Sequence, residues 1–195
     1  MHFDMRHRKR CRRINTPGHA HYLTFSCFQR RPFLTRDRTR GWFIDAVIAA
    51  RNKHAFDIFA WVVMPEHAHL LIRPTREVYS ISAILKSIKL PVALRAIAFL
   101  DATNPAGKHL LADRQPNGTV AYRFWQRGGG YDRNLISAME IWEKIDYIHR
   151  NPLRQGLVAR ATDWVWSSAR EYATGEHGML PLTYGVLPPR PLKNM

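Results

Sequence analysis

The feature that most constrains the fold is a pair of strand-like segments in the middle of the chain. Phe56 to Met64 is apolar on both faces of an extended strand, as is typical of a strand at the centre of a sheet. Pro65-Glu66 then turns the chain into a second run, from His67 to Arg73. The sequence therefore predicts two neighbouring strands joined by a tight turn.

Further periodic segments lie on both sides of this pair. Alternation of apolar and polar residues predicts strands, and apolar residues at helical spacing predict helices. Because the residue before a proline avoids the helical region, we expect the last helix to stop at Asn151-Pro152. The predicted elements are a strand over 21–28, a helix over 37–53, a helix over 81–100 that Pro91 kinks or divides, a long loop over 101–119, a short final strand over 122–126 and a helix over 136–150.

The predicted order strand, helix, strand, strand, helix, strand is that of an α+β fold of the split βαβ, or ferredoxin-like, type. It implies an antiparallel sheet with helices on one face, followed by one more helix. We expect the other face to stay open for a ligand. By composition we divide the chain into a basic arm over 1–18, a single domain over 19–174 and a weakly ordered, proline-rich tail over 175–195.

The chain carries 30 Lys and Arg against 15 Asp and Glu, a formal charge of +15. Such an excess favours a polyanionic partner, with nucleic acid ahead of an acidic membrane surface. Since no apolar stretch of secretory or membrane-spanning length follows the basic arm, and the two cysteines form no paired motif, we expect a cytoplasmic protein that does not bind membranes.

His67 and His69 lie two residues apart in a predicted strand, so their side chains share one face, while Ala68, Leu70 and Ile72 share the other. The apolar set belongs under the helices, which leaves both imidazoles on the open face. Neutral imidazoles so placed can converge on one divalent ion. A His-x-His pair is short, however, and a purely structural or exposed pair remains the alternative.

In the last predicted helix Tyr147 falls away from the apolar stripe, on the same side as Lys144 and Asn151. A tyrosine displayed among polar neighbours can act as a nucleophile if a metal-polarised phosphate or a base assists it. The alternative is a tyrosine that packs its ring at a surface. Asn151, one turn later, could reach the same ion through its carbonyl oxygen. The apolar stripe comprises Ile141, Trp142, Ile145 and Ile148.

Basic and aromatic residues supply candidate contacts to nucleic acid. The cations either bind phosphates or form a solvated face, and the aromatic rings either stack on bases or belong to the core. The candidate cations are Arg8, Lys9, Arg10, Arg12 and Arg13 in the arm, and Arg123, Arg127, Arg133, Lys144, Arg150 and Arg154 around the predicted site. The candidate stacking residues are Tyr22, Phe28, Tyr122 and Trp125.

Several blocks of the sequence together resemble one known family. Trp61 to Ile72 resembles the His-hydrophobe-His signature strand of the IS200-like transposases. Asp146 to Pro152, followed by Gly156-Leu157-Val158, resembles the block in which that family carries its nucleophilic tyrosine. The other similar segments are Phe124 to Arg127 with Tyr131-Asp132, typical of the REP-associated tyrosine transposases, together with Tyr22 to Phe25 and Asp163 to Ser168.

The resemblance implies a divalent metal ion, Mg²⁺ or Mn²⁺, and cleavage of single-stranded DNA that leaves a 5′-phosphotyrosine and a free 3′-hydroxyl. It implies hairpins of repetitive extragenic palindromes (REP) as the recognised DNA. On the match, His67 and His69 take the metal role, Tyr147 the nucleophile role and Asn151 the place of a third polar ligand. Two features depart from the family pattern, the triple glycine at 128–130 and the length of the loop at 101–119.

Two other functions remain open at this point. One is a DNA-binding regulator that keeps the fold and charge without cleaving; the other is a metal-dependent phosphodiesterase that uses water and leaves Tyr147 without a role. No glycine-rich phosphate loop followed by Lys and Ser or Thr occurs, so we expect no nucleotide cofactor. We expect the protein to act as a monomer or a homodimer.

Overall fold

The computed structural model describes residues 14–192 of the chain. Short 3₁₀ helices occur at Phe28–Arg30, Pro105–Leu111 and Ala161–Asp163. This part of the chain also forms ten α-helices and β-strands. These are β1 (Ala20–Ser26), α1 (Asp37–His54), β2 (Phe56–Val63), β3 (His67–Pro74), α2 (Ile81–Thr103), β4 (Ala112–Arg114), β5 (Val120–Tyr122), β6 (Tyr131–Leu135), α3 (Ala138–Arg154) and α4 (Ala169–Thr174).

The main sheet has four antiparallel strands in the order β2-β3-β1-β6. With α1 and α2 as the connections, this order is that of the ferredoxin-like split βαβ fold, so the predicted fold class is confirmed. The central strand β1 lies between β3 and β6, and Thr24 stands opposite His69 on one side and Tyr131 on the other. The register therefore brings residues from three strands to one point on the sheet.

The two faces of the sheet bury different sets of side chains. Ala68, Leu70 and Ile72 pack in the core beneath α1 and α2, as the alternation in β3 predicts. The opposite face was expected to be open, but α3 covers part of it because its apolar stripe must also be buried. That stripe, Ile141, Ile145 and Ile148, packs against Phe59, Ala60, Val62 and Leu71.

The final strand of the sheet is not the one predicted. Residues 120–122 form a hairpin with 112–114, and Trp125 is buried in the core with only a single bridge to Cys27. The edge strand is β6, which begins directly after the glycines. At Gly130 the backbone has φ +73, and a β-carbon there would lie 2.1 Å from the carbonyl oxygen of Thr24. Only glycine permits this approach to β1.

Both long helices continue through their prolines. A capping box between Ser137 and Glu140 starts α3, and the helix runs past Pro152 to Arg154, four residues beyond the predicted end. Likewise α2 continues through Pro91 to Thr103 without a break. The side chains of Asn151 and Pro152 are buried, and this packing outweighs the local preference that would end the helix before a proline. Asn151 consequently lies one full helical turn after Tyr147.

The segment after Gly175 has no helix or strand within residues 176–192, but it lies against the domain, whereas we expected a weakly ordered tail. Leu180 is fully buried, and the backbone of Thr183 donates to the carbonyl of Ile58 at 2.9 Å. Arg190 forms an ion pair with Asp146 of α3 at 2.7 Å. In the part of the chain from 14 to 192, no helix is long and apolar enough to span a bilayer.

Candidate catalytic site at the histidine pair

His67 and His69 point to the α3 side of the sheet, as the alternation in β3 predicts. Both are nearly buried, at 5% and 4% exposure. Their Nε2 atoms lie 3.0 Å apart. The two imidazoles therefore face each other in a partly enclosed site. Their burial argues against the alternative of an exposed pair.

Hydrogen bonds to the outer nitrogens orient both imidazoles. His67 Nδ1 donates to the Glu66 carboxylate at 2.8 Å, which leaves its Nε2 without a proton. His69 Nδ1 contacts the hydroxyls of Tyr22 at 2.8 Å and Thr24 at 3.0 Å. Such outer partners are the usual means of fixing the tautomer of a histidine that binds a metal.

Burial decides the charge of the pair. It lowers the pKa of His69 to about 3, with smaller contributions from His67 and Lys144. Burial also lowers the pKa of His67, although the hydrogen bond with Glu66 opposes this effect. For Glu66, burial raises the carboxyl pKa, but interactions with His67 and Gln155 outweigh it and hold the pKa below its usual value. At neutral pH the site thus holds two neutral imidazoles beside one carboxylate.

The donor set fits a divalent metal ion. Neighbouring ligands of an octahedral ion at about 2.1 Å lie about 3.0 Å from each other, as the two Nε2 atoms do. Asn151 is buried next to His67, and its side chain makes a small contribution that raises the pKa of this imidazole. Within residues 14–192 no three His, Cys, Asp or Glu side chains are grouped to hold a metal. A third protein ligand would therefore be the amide of Asn151.

Tyr147 lies next to the histidine pair. Its ring centroid is 5.7 Å from that of His69 and 6.1 Å from that of Tyr22. Lys144 and Arg154 lie over the Tyr147 ring at 5.2 and 5.3 Å. Periodicity placed Tyr147 on the polar side of α3, and the structure brings it to the same site as the histidines.

The site opens into a pocket of about 460 Å³. Two cations line it, Arg30 before α1 and Lys144 on α3, and Arg154 on α3 lies over the neighbouring Tyr147 ring. Sequence reasoning missed Arg30, Glu66, Tyr22 as a hydrogen-bond partner, and Gln155. Their roles arise from contacts between distant segments, and only the turn position of Glu66 beside His67 gave a signal. The lining residues are Tyr22, Thr24, Arg30, His67, His69, Tyr131, Lys144, Tyr147, Asn151 and Gln155.

The other candidate contacts are placed in different regions. Arg123 and Arg127 lie away from this pocket, where both pair with Asp113. Arg150 is exposed on α3, and Arg133 pairs with Glu140. The arm residues Arg8, Lys9, Arg10, Arg12 and Arg13 lie outside the described residues. Of the candidate stacking rings, Phe28 and Trp125 are core residues, Tyr22 belongs to the histidine site and Tyr122 is exposed.

No protein-family model matches the sequence. A curated relative is the REP-associated tyrosine transposase of Escherichia coli (strain K12), 28% identical over 131 residues. The match covers 67% of this chain and spans about 65% of the relative's length. It confirms the resemblance that the sequence motifs indicate.

Among solved structures, a REP-associated tyrosine transposase bound to a REP hairpin superposes with a TM-score of 0.64 at 21% identity, covering 93% of this chain and 97% of that one. At this identity the likeness shows a shared fold. A transposase-like protein of Deinococcus radiodurans aligns with a TM-score of 0.43 and 17% identity over 72% of this chain.

Proposed function

We propose that this chain, which resembles the REP-associated tyrosine transposases, is a metal-dependent single-strand DNA endonuclease and strand transferase. It nicks hairpin or REP-like DNA through a 5′-phosphotyrosine on Tyr147. The observation that carries the proposal is the meeting of Tyr147 with two neutral imidazoles whose Nε2 atoms are 3.0 Å apart. A hairpin partner is supported by the solved relative, which is bound to a REP hairpin.

In the proposed reaction the Tyr147 oxygen forms a bond to the scissile phosphorus, and the bond from phosphorus to the 3′-oxygen breaks. The phenol loses its proton and the departing 3′-oxygen gains one, so the products are a 5′-phosphotyrosine and a 3′-hydroxyl. Because the new ester keeps the energy of the old one, a 3′-hydroxyl can reverse the reaction and join strands. No nucleotide is consumed.

The chain's own residues position these groups. The Tyr22 hydroxyl contacts His69 Nδ1 at 2.8 Å, and the Tyr22 ring packs edge-on against the ring of Tyr147. Lys144 and Arg154 place positive charge beside the nucleophile, where a phosphate would bind. An Mg²⁺ or Mn²⁺ ion bound by His67, His69 and Asn151 would supply a Lewis acid that stabilises charge on the phosphate and the leaving oxygen.

The test is a labelled single-stranded REP-like hairpin incubated with the full chain and Mn²⁺, followed by a denaturing gel. We expect a slow-migrating protein–DNA species with the wild type and none with Tyr147→Phe, which removes one oxygen and keeps the ring. Tyr184→Phe is the matched control, because Tyr184 is exposed and does not line this pocket. It should form the adduct normally.

Each other outcome identifies a different function. Cleavage without an adduct would favour a phosphodiesterase that uses water. Tight binding with no cleavage under any divalent ion would favour the regulator. An adduct that persists in Tyr147→Phe would mean that another residue is the nucleophile.

A further inference from the structure

A second pocket, of about 490 Å³, lies between α2 and the segment that leads from β5 to the glycines. Lys86 and Lys89 line it from α2, and Arg123 and Arg127 from the other side. Asp113, which does not line the pocket, pairs with both arginines. Against Lys86, Arg123 and Arg127 this one carboxylate leaves a local excess of about two positive charges, which favours an anionic ligand.

Its walls combine this charge with accessible apolar surface. Leu90 is 47% exposed and Tyr122 is 42% exposed, and both line the pocket. None of the described residues that line it is acidic. Flat apolar surface beside cations is what an unpaired nucleotide requires, since its base stacks or packs while its phosphate binds Lys or Arg. The volume falls in the range of about 300–1,000 Å³ that small-molecule sites occupy.

A short glycine segment joins this pocket to the histidine site. Gly128 and Gly129 line the basic pocket, and Tyr131 lines the catalytic pocket. Three residues of extended chain span at most about 11 Å. Lys89 Nζ donates to the carbonyls of Gln126 at 3.2 Å and Gly128 at 2.7 Å, which holds the start of the segment against α2. The segment between the two pockets therefore carries no side chain of its own at three successive positions.

We propose that the basic pocket binds one unpaired nucleotide of the same DNA strand whose phosphate Tyr147 attacks, with the strand crossing the glycine segment at residues 128–130. The inference rests on the proposed function. At about 3.4 Å for each stacked nucleotide, at most about three nucleotides cross the glycine segment itself. By holding this nucleotide, the pocket determines which phosphate of the DNA reaches Tyr147. The DNA strand runs over the three glycines between the two pockets.

The first measurement is affinity, by fluorescence anisotropy with a labelled mixed-sequence single strand of about 12 nucleotides, a length within the usual range of single-strand sites. Lys86→Ala with Arg127→Ala removes two cations from the pocket. Arg36→Ala with Arg76→Ala is the matched control, because both residues are exposed and line neither pocket. We expect a loss of about tenfold in the first double variant and of about twofold or less in the control. Equal losses would overturn the proposal.

The second measurement is position-specific photocrosslinking of the wild type to single strands that carry one 5-iodouracil. We expect a peptide containing Tyr122 to crosslink from one or two positions, about two to four nucleotides from the cleaved bond. Crosslinking from every position alike, or none to this peptide, would refute the pocket. A positioned crosslink to Tyr122 without any Tyr147 adduct would refute the proposed cleavage and retain the nucleotide site, so the two failures are distinguishable.

Discussion

Replacing Tyr22 with phenylalanine tests whether the hydroxyl between His69 and Tyr147 positions the site. The change keeps the ring that stacks on His69 and removes the hydroxyl that contacts His69 Nδ1 at 2.8 Å. Burial raises the pKa of Tyr22 far above neutrality, so the group lost is a neutral hydroxyl. Thr24 still contacts the same nitrogen at 3.0 Å, and the free energy of unfolding should therefore fall by only about 1 kcal/mol.

The functional effect should be larger than the effect on stability. Loss of an outer partner of a metal-binding histidine typically lowers metal affinity or activity about 10- to 100-fold. We expect the Mn²⁺ concentration for half-maximal adduct formation to rise about tenfold, with partial recovery at saturating Mn²⁺. The assay is single-turnover adduct formation at a series of Mn²⁺ concentrations, with thermal unfolding as the check on folding. An unchanged Mn²⁺ dependence in a folded Tyr22→Phe protein would refute the positioning role.

Three further predictions follow from the site and its sheet. His67→Ala with His69→Ala should abolish adduct formation while single-strand affinity stays within about tenfold, because the proposed ion would contribute mainly to the transition state. Full activity of this variant in a chelator would exclude the metal. Burial lowers the pKa of His69 to about 3 and of His149 to about 4. Below the usual histidine pKa of about 6.5, the unfolded chain therefore binds more protons at these two residues than the folded protein does. The unfolding temperature should fall as the pH is lowered from about 6.5 towards about 4. A flat profile in calorimetry over that range would contradict this. Gly130→Ala should lower the free energy of unfolding by more than Gly128→Ala, by about 1–3 kcal/mol against about 1 kcal/mol. Gly128 and Gly130 both have positive φ, but only Gly130→Ala would place a β-carbon against the backbone of β1. Equal urea-unfolding midpoints for the two variants would show that β6 can shift to make room for it.

Local periodicity was sufficient for the parts of the site that lie on one element. The two-residue alternation in β3 predicted that His67 and His69 share a face opposite Ala68 and Leu70, and this is confirmed. Helical periodicity likewise placed Tyr147 and Asn151 on one side of α3. Both predictions depend only on geometry within a single strand or helix, which the chain specifies without help from distant segments.

Predictions failed where tertiary contacts decide the structure. The pattern of residues 122–126 predicts a strand, but Trp125 packs instead in the core beneath α1 and α2. The true edge strand, Tyr131–Leu135, is mostly polar, and its pairing depends on the close approach at Gly130. The contacts of Tyr22 with His69 join residues 47 positions apart. No local pattern encodes such a pair.

The C-terminal segment has a practical consequence for anyone who prepares this protein. A boundary drawn at Gly175 from composition alone would remove Leu180 from the core, and burial of a leucine is worth about 1.5–3 kcal/mol. It would also delete the backbone donor to Ile58 and the arginine that pairs with Asp146, the residue directly before Tyr147. A shortened clone would therefore lose solubility and yield before its activity could be judged.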